Sequence, residues 1–192
     1  MESDGVSFEN RIFENIADLP NNLQQKEFLG CKFKKCDFSG CDLTGTSFVD
    51  CSFGVCNLAN TKVIRCGFQN VSFEGCKLIG ISFEGVRNWL LSWKFKDCKV
   101  EMCVFRKLDM KQTRFVDCMV RGTDFENVDM TKSVFTGSDL QGSRFQQAIL
   151  KKADFMGALN YYIDPTKNDL AQASFSYPEV LSLLSGFNIN VQ

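Results

Sequence analysis

The chain has no histidine among its 192 residues. That absence removes the Ser-His-Asp and Cys-His nucleophile systems and every His-ligated metal site. Proline is scarce: Pro20, Pro165 and Pro178 are the only three, and all lie outside the two regular stretches described below. This fits a backbone whose N–H groups are engaged in a continuous ladder. No apolar run reaches membrane-spanning length, and Met1-Glu2-Ser3-Asp4 has neither the basic nor the apolar part of a secretory leader. A cytoplasmic protein without a membrane span is expected, with export by a non-classical route left open. An excess of charge is missing too. The 22 Lys and Arg are interspersed with 23 Asp and Glu, for a net charge of −1. Such balance predicts neither general nucleic-acid affinity nor a strongly acidic surface. No Gly-rich phosphate loop stands between a strand and a helix.

What the chain does have is a beat of five. Positions 28, 33, 38 and onward to 83 read F-F-F-L-F-F-L-V-F-F-L-F, and positions 95 to 155 read F-V-F-M-F-V-F-M-F-L-F-L-F. Neither an α-helix nor a plain strand has that period, whereas a short period covering a whole chain marks a solenoid. Of 19 Phe, only Phe187 stands off the beat; Phe175 rejoins it after a gap. Residues twenty apart also match one another. Phe13, Phe33, Phe53 and Phe73 are such a column. With a two-residue slip allowed between Phe83 and Phe95, it continues through Phe95, Phe115, Phe135, Phe155 and Phe175. A core of rings stacked at strand spacing is dry and stiff, with no room for a substrate.

The 10 cysteines follow the same bookkeeping. Cys31, Cys36, Cys41, Cys51, Cys56, Cys66, Cys76, Cys98, Cys103 and Cys118 each stand two residues before a central apolar residue. They share that slot with Thr46, Thr61, Thr113, Thr123, Ser133, Ser138, Ser143, Ala148 and Ala153. A slot for small residues makes them packing thiols rather than ligands or disulfides, since C-x-x-C spacing is absent. Ten of 14 Gly fall two residues after a central residue, where a tight turn is needed. Asp37, Asp42, Asp109, Asp124, Asp129 and Asp139 directly precede central residues. They are expected to bond local backbone rather than to form a catalytic carboxylate pair. No cofactor, no metal and no enzymatic activity is expected.

Units such as Cys36-Asp37-Phe38-Ser39-Gly40 and Cys41-Asp42-Leu43-Thr44-Gly45 resemble the pentapeptide-repeat family. The resemblance implies an all-β fold, a right-handed quadrilateral parallel β-helix with a C-terminal capping helix. The boundaries read as 1–27 for an imperfect first coil and cap, 28–157 for the β-helix with its slip within 84–94, and 158–192 for the C-terminal cap.

Both tryptophans lie at the slip, in Gly85-Val86-Arg87-Asn88-Trp89-Leu90-Leu91-Ser92-Trp93. Two readings stand: a bulge that covers the coil edge, or a projecting recognition loop with Arg87, Trp89, Leu90 and Trp93 as anchors. At the C-terminus, Ser176 is placed to cap a helix over about residues 177–185, with Glu179 at the third position and Gly186 as its stop. Phe187, Ile189 and Val191 then alternate as a strand. Val180, Leu181, Leu184 and Phe187 are the candidate homodimer contacts.

Within the family, the resemblance to the Qnr and MfpA-like branch implies a dimeric rod that binds DNA gyrase or topoisomerase IV and protects it from quinolones or toxins, partly as a mimic of duplex DNA. The partner is thus expected to be a protein, with bacterial type II topoisomerase the specific candidate and no direct nucleic-acid binding. The outward charges do not favour mimicry, because Lys32, Lys34, Lys35, Lys94, Lys96 and Arg114 share one face with Glu74, Asp97, Asp117 and Asp154. The alternative is a general interaction scaffold or bacterial effector with another partner, using outward apolar residues such as Ile64, Met102 and Met119.

Overall fold

In a computed structural model, residues 6–17, 23–88, 91–187 and 189 are described. The chain winds as a parallel β-solenoid of about eight turns with one short C-terminal helix. Each coil has four faces. The first carries a sheet of Ser7–Glu9, Glu27–Leu29, Ser47–Val49 and Gly67–Gln69. The second carries six paired strands from Ile12–Glu14 to Arg114–Val116, and further up Asp154–Phe155 pairs with Ser174–Phe175. The third pairs Lys77–Ile79, Lys99–Glu101 and Met119–Arg121. The fourth is held by single bridges such as Ser82 to Val104 and Val104 to Asp124.

The five-residue unit produces this geometry directly. Its central residue and the residue two before it point inward, and the corner bends through left-handed backbone. Gly80 shows why glycine suits a corner: φ is +68°, and an added Cβ would lie 2.5 Å from Asn60 Oδ1. Register is fixed by the column: Phe33 pairs Phe53, which pairs Phe73. At the slip the offset grows by two, so that Val71 faces Trp93 and Phe73 faces Phe95. Beyond it, Phe95 faces Phe115 at the original offset.

Three ring ladders fill the core. Phe13 to Phe175 stack on the second face, with neighbours such as Phe95 and Phe115 at 4.7 Å and 4° between planes. Phe8, Phe28, Phe48 and Phe68 stack on the first face, and Phe83, Phe105, Phe125 and Phe145 on the fourth. Rings of adjacent faces meet edge-on, as Phe125 and Phe135 do at 83°. Both arrangements suit the aromatic quadrupole. In the upper first face the central residues are Met110, Met130 and Leu150, and the preceding slot there holds Leu108, Val128 and Ala148, all buried. The slot therefore tracks the free volume rather than demanding a small residue everywhere.

The slot also donates hydrogen bonds. Cys31 Sγ reaches the Phe8 carbonyl oxygen at 3.3 Å, Cys51 Sγ that of Phe28 at 3.3 Å and Thr61 Oγ1 that of Phe38 at 2.9 Å. Ser143 Oγ does the same to Val120 at 2.7 Å. This supplies a reason for Cys, Thr and Ser over Ala, since each satisfies a carbonyl in the coil below. Nine of the ten cysteines are buried and Cys41 is half-buried. Burial pushes the Cys51 thiol up to about 11 and those of Cys66 and Cys103 up to about 12.

The coils extend past 28–157 in both directions. Ser7–Glu9 and Ile12–Glu14 pair with the next coil, and the Arg11 guanidinium lies 5.5 Å over the Phe8 ring at the open end. At the far end Phe155 pairs Phe175. The beat is lost between them because Tyr161 and Ile163 stand off the five-residue count, yet both are buried. Ile163 pairs Phe145, after which Asp169 returns to the twenty-residue offset by pairing Ile149. Residues 19–22, including Leu19 and Pro20, lie outside the described residues.

The terminal helix is a 3₁₀ helix over Glu179–Phe187. It runs through Gly186 and Phe187, so the expected glycine stop at Gly186 and a strand beginning at Phe187 are both replaced. Ser176 Oγ does not cap it; that oxygen accepts from the Gly157 N–H at 3.1 Å, while the Ser176 carbonyl accepts from Val180 N–H at 3.0 Å. Among the described residues, no helix is long and apolar enough to cross a membrane.

Candidate functional surface

With the core filled by side chains, any chemistry must be sought on the outside. The aspartates that precede central residues are turn-builders. Asp37 Oδ1 accepts from Ser39 N–H at 2.8 Å, Asp42 from Thr44 at 2.9 Å and Asp124 from Glu126 at 3.0 Å. These bonds, first to Ser39 and Thr44 respectively, hold the Asp37 and Asp42 carboxyls below the usual range. Basic groups then neutralise many of them across coils. Arg106 grips Asp124 through Nε at 3.0 Å and a terminal nitrogen at 2.6 Å. Arg121 grips Asp139 in the same manner. Lys111 bridges Asp109 and Asp129 at 2.8 and 3.2 Å, and Lys62 meets Asp42 at 3.0 Å. A carboxylate so engaged serves poorly as a catalytic base or as a phosphate mimic. Among the described residues, no three Cys, Asp or Glu side chains gather to hold a metal.

The slip is plugged by two side chains. Trp93 is 1% exposed. Its ring meets Phe68 edge-on at 5.8 Å and lies 5.4 Å from Phe83 and 5.9 Å from Phe105. Its indole N–H donates to the Phe68 carbonyl at 3.0 Å. Cys98 and Cys103 make the same bond, 25 residues back, to Phe73 and Leu78. Trp93 thus fills the slot with a larger donor, and it is a core residue rather than a partner anchor. Asn88 is exposed, and its carboxamide spans to the next coil: Nδ2 donates to the Lys107 carbonyl at 3.1 Å, and Oδ1 accepts from the Asp109 N–H at 2.8 Å. One side-chain amide here does what a peptide unit does elsewhere. Position 88 would be a central residue on an unbroken beat, so a polar residue there was the signal of this role.

Arg87 is exposed and stays in the backbone ladder, its N–H donating to the Cys66 carbonyl at 2.8 Å. Its guanidinium reaches the Gly45 carbonyl at 3.4 Å. With Gln25, Glu27, Gly45 and Arg65 it lines an open depression of about 450 Å³ where the fourth face turns into the first. Arg65 escaped the sequence reading because the depression only exists once residues a coil apart are placed side by side. Trp89 and Leu90, two and three residues after Arg87, lie outside the described residues.

The four C-terminal candidates fall on the 3₁₀ helix. Leu181 and Phe187 are exposed at 42% and 51%, while Val180 and Leu184 are half-buried and Leu183 packs on the core. Exposed Tyr177 and Ile189 flank them.

The sequence pattern of the pentapeptide repeat region matches residues 26–89 and 88–155. No protein with a curated description matches the chain. Among solved structures, a trypsin-treated form of QnrB1, a plasmid-mediated fluoroquinolone resistance protein, superposes with a TM-score of 0.64 at 17% identity. That match covers 97% of this chain and 100% of the other. A second trypsin-treated form of QnrB1 gives 0.52 at 17% identity, over 98% and 99% of the two chains. HetL from the cyanobacterium Nostoc sp. strain PCC 7120, a pentapeptide repeat protein involved in heterocyst differentiation regulation, gives 0.43 at 12% identity, over 88% and 84%.

Proposed function

Since the chain belongs to the pentapeptide-repeat family, we propose that it is a non-enzymatic, rod-shaped protein-binding protein of the cytoplasm that works through its outer faces. The observation that carries this reading is the continuous ring core from Phe13 to Phe175, which fills the interior of the described residues and leaves a stiff outer surface. The lower first face, from Glu27 to Arg87, is the surface assigned to the partner. It combines side-chain-free ground at Gly45 and Gly67 with two arginines, and Trp89 and Leu90 follow it in sequence.

The specific form of the proposal is protection of a bacterial type II topoisomerase from quinolones, supported by the likeness to QnrB1 over nearly the whole of both chains. Supercoiling by DNA gyrase inhibited with ciprofloxacin is expected to recover when the protein is added, and Arg87→Asp is expected to reduce the recovery. No recovery, together with no binding to gyrase, would overturn the topoisomerase form. The internal neutralisation of Asp109, Asp124, Asp129 and Asp139 favours the second reading, a scaffold for another protein partner, because it weakens resemblance to a polyanion.

The same proposal includes a homodimer through the 3₁₀ helix, supported by exposed Tyr177, Leu181, Phe187 and Ile189 at one end of the rod. Sedimentation equilibrium is expected to give twice the 21.7 kDa chain mass, and Leu181→Asp the single mass. A monomeric wild type ends the dimer proposal without touching the first.

A further inference from the structure

On the reading of the lower first face as a partner surface, we infer that Arg65 and Arg87 form a binding site for a carboxylate, an Asp or Glu side chain presented by the protein partner. The fold itself shows what it does with an arginine that has an acid nearby: Arg106 and Arg121 close on Asp124 and Asp139. Arg65 and Arg87 make no ion pair among the described residues. The reason lies in the columns. The residues twenty before and after Arg65 are Gly45 and Gly85, and the residue twenty before Arg87 is Gly67. Three positions that could carry the neutralising acid carry no side chain. Gly45 lines the open depression with both arginines, and a Cβ added at Gly67 would lie 3.7 Å from Arg87 Cδ.

The chemistry selects the ligand. A guanidinium presents a planar fork of donors that matches a carboxylate, and one of the two is already steadied by the Gly45 carbonyl. Glu27 lies on the same rim, two coils below Gly67, or about 10 Å at strand spacing. It makes no ion pair with either arginine among the described residues, yet it repels a continuous polyanion running along the face. A discrete carboxylate on a peptide is therefore favoured over a phosphodiester chain.

The test uses the full ¹⁵N-labelled chain and a blocked Gly-Gly-Glu-Gly-Gly peptide, which presents a single carboxylate. Saturable amide shifts are expected at Gly45, Arg65, Gly67 and Arg87. Binding should weaken about tenfold for each arginine changed to glutamine, and be retained in Arg114→Gln/Arg144→Gln. Arg65→Lys/Arg87→Lys keeps the charge without the fork and should bind with intermediate strength, a readout that holds if the glutamine variants fold poorly. Non-saturating shifts, shifts unchanged in Arg65→Gln/Arg87→Gln, or equal saturable shifts from inorganic phosphate or a short DNA duplex would overturn the inference. If the single-Glu peptide fails while partner capture still depends on Arg87, the carboxylate fails and the partner surface stands; if no arginine variant weakens partner capture, both fail.

Discussion

Phe115→Ala is expected to cost about 3–5 kcal/mol of unfolding free energy, the range for deleting a fully buried aromatic ring. Phe115 has no exposed surface. It stacks on Phe95 at 4.7 Å below and Phe135 at 5.3 Å above, and meets Phe105 and Phe125 edge-on at 6.4 and 6.0 Å. The hole cannot close easily, because the backbone around it is pinned on both sides. Phe115 N–H donates to the Val134 carbonyl at 2.7 Å, and Arg114 and Val116 pair with Lys94 and Lys96. Phe13→Ala removes the same ring from the end of the same column, where it is half-buried, stacks on one side only, on Phe33 at 5.0 Å, and meets Phe8 and Phe28 edge-on. There the loss should fall to about half or less, since a terminal coil can fray with little cost to its neighbours. Urea unfolding of the two variants, compared at equal slope, reads the difference directly. Equal losses at Phe13 and Phe115 would mean that the ring ladder is not the stabilising element.

The contrast between those two positions also marks how far the sequence could be read. A column of Phe at a twenty-residue pitch is one-dimensional information, so, given the four-sided coil that the family resemblance implies, the two-residue slip follows from spacing. Three things do not. The donor role of Cys31, Cys51 and Thr61 needs the carbonyl 23 residues back to be known as a neighbour; spacing reveals only that the slot is small. The helix type at Glu179–Phe187 is undetermined by Val180, Leu181, Leu183 and Leu184, because over two or three turns the i+3 spacing of a 3₁₀ helix and the mixed spacing of an α-helix select the same residues. The Arg65–Arg87 depression includes the missing side chain at Gly45, and such an absence is invisible until the coils are stacked. Tyr161 and Ile163 show the converse: they break the count of five, Ile163 pairing Phe145 two residues short of twenty, and the offset is restored at Asp169, so that the beat ends before the solenoid does.

Trp93→Ala is expected to be as damaging as any core deletion, about 3–5 kcal/mol, although its position reads as a break in the pattern. The indole joins the ladders of two faces, between Phe68 and Phe83 of one coil and Phe105 of the next. Removing it empties the core where the register offset changes from Phe53–Phe73 to Phe73–Phe95. Trp93→Phe separates the two contributions. It keeps much of the ring but leaves the Phe68 carbonyl without its 3.0 Å donor, for a loss of about 1–3 kcal/mol. Asn88→Ala removes the exposed carboxamide bridge to Lys107 and Asp109, where water can replace the lost partners, so about 1 kcal/mol or less is expected. The order Trp93→Ala, Trp93→Phe, Asn88→Ala follows from burial and donor count together. Native-state hydrogen exchange adds a spatial readout: in Trp93→Ala the amides of Arg87, Lys99 and Val104, which bond across the slip to the carbonyls of Cys66, Cys76 and Ile81, should lose protection before those of Ser52 or Asn57. Uniform loss along the rod would instead show that the slip is no weaker than the rest, and a Trp93→Ala chain of wild-type stability would return Trp93 to the surface as a partner contact.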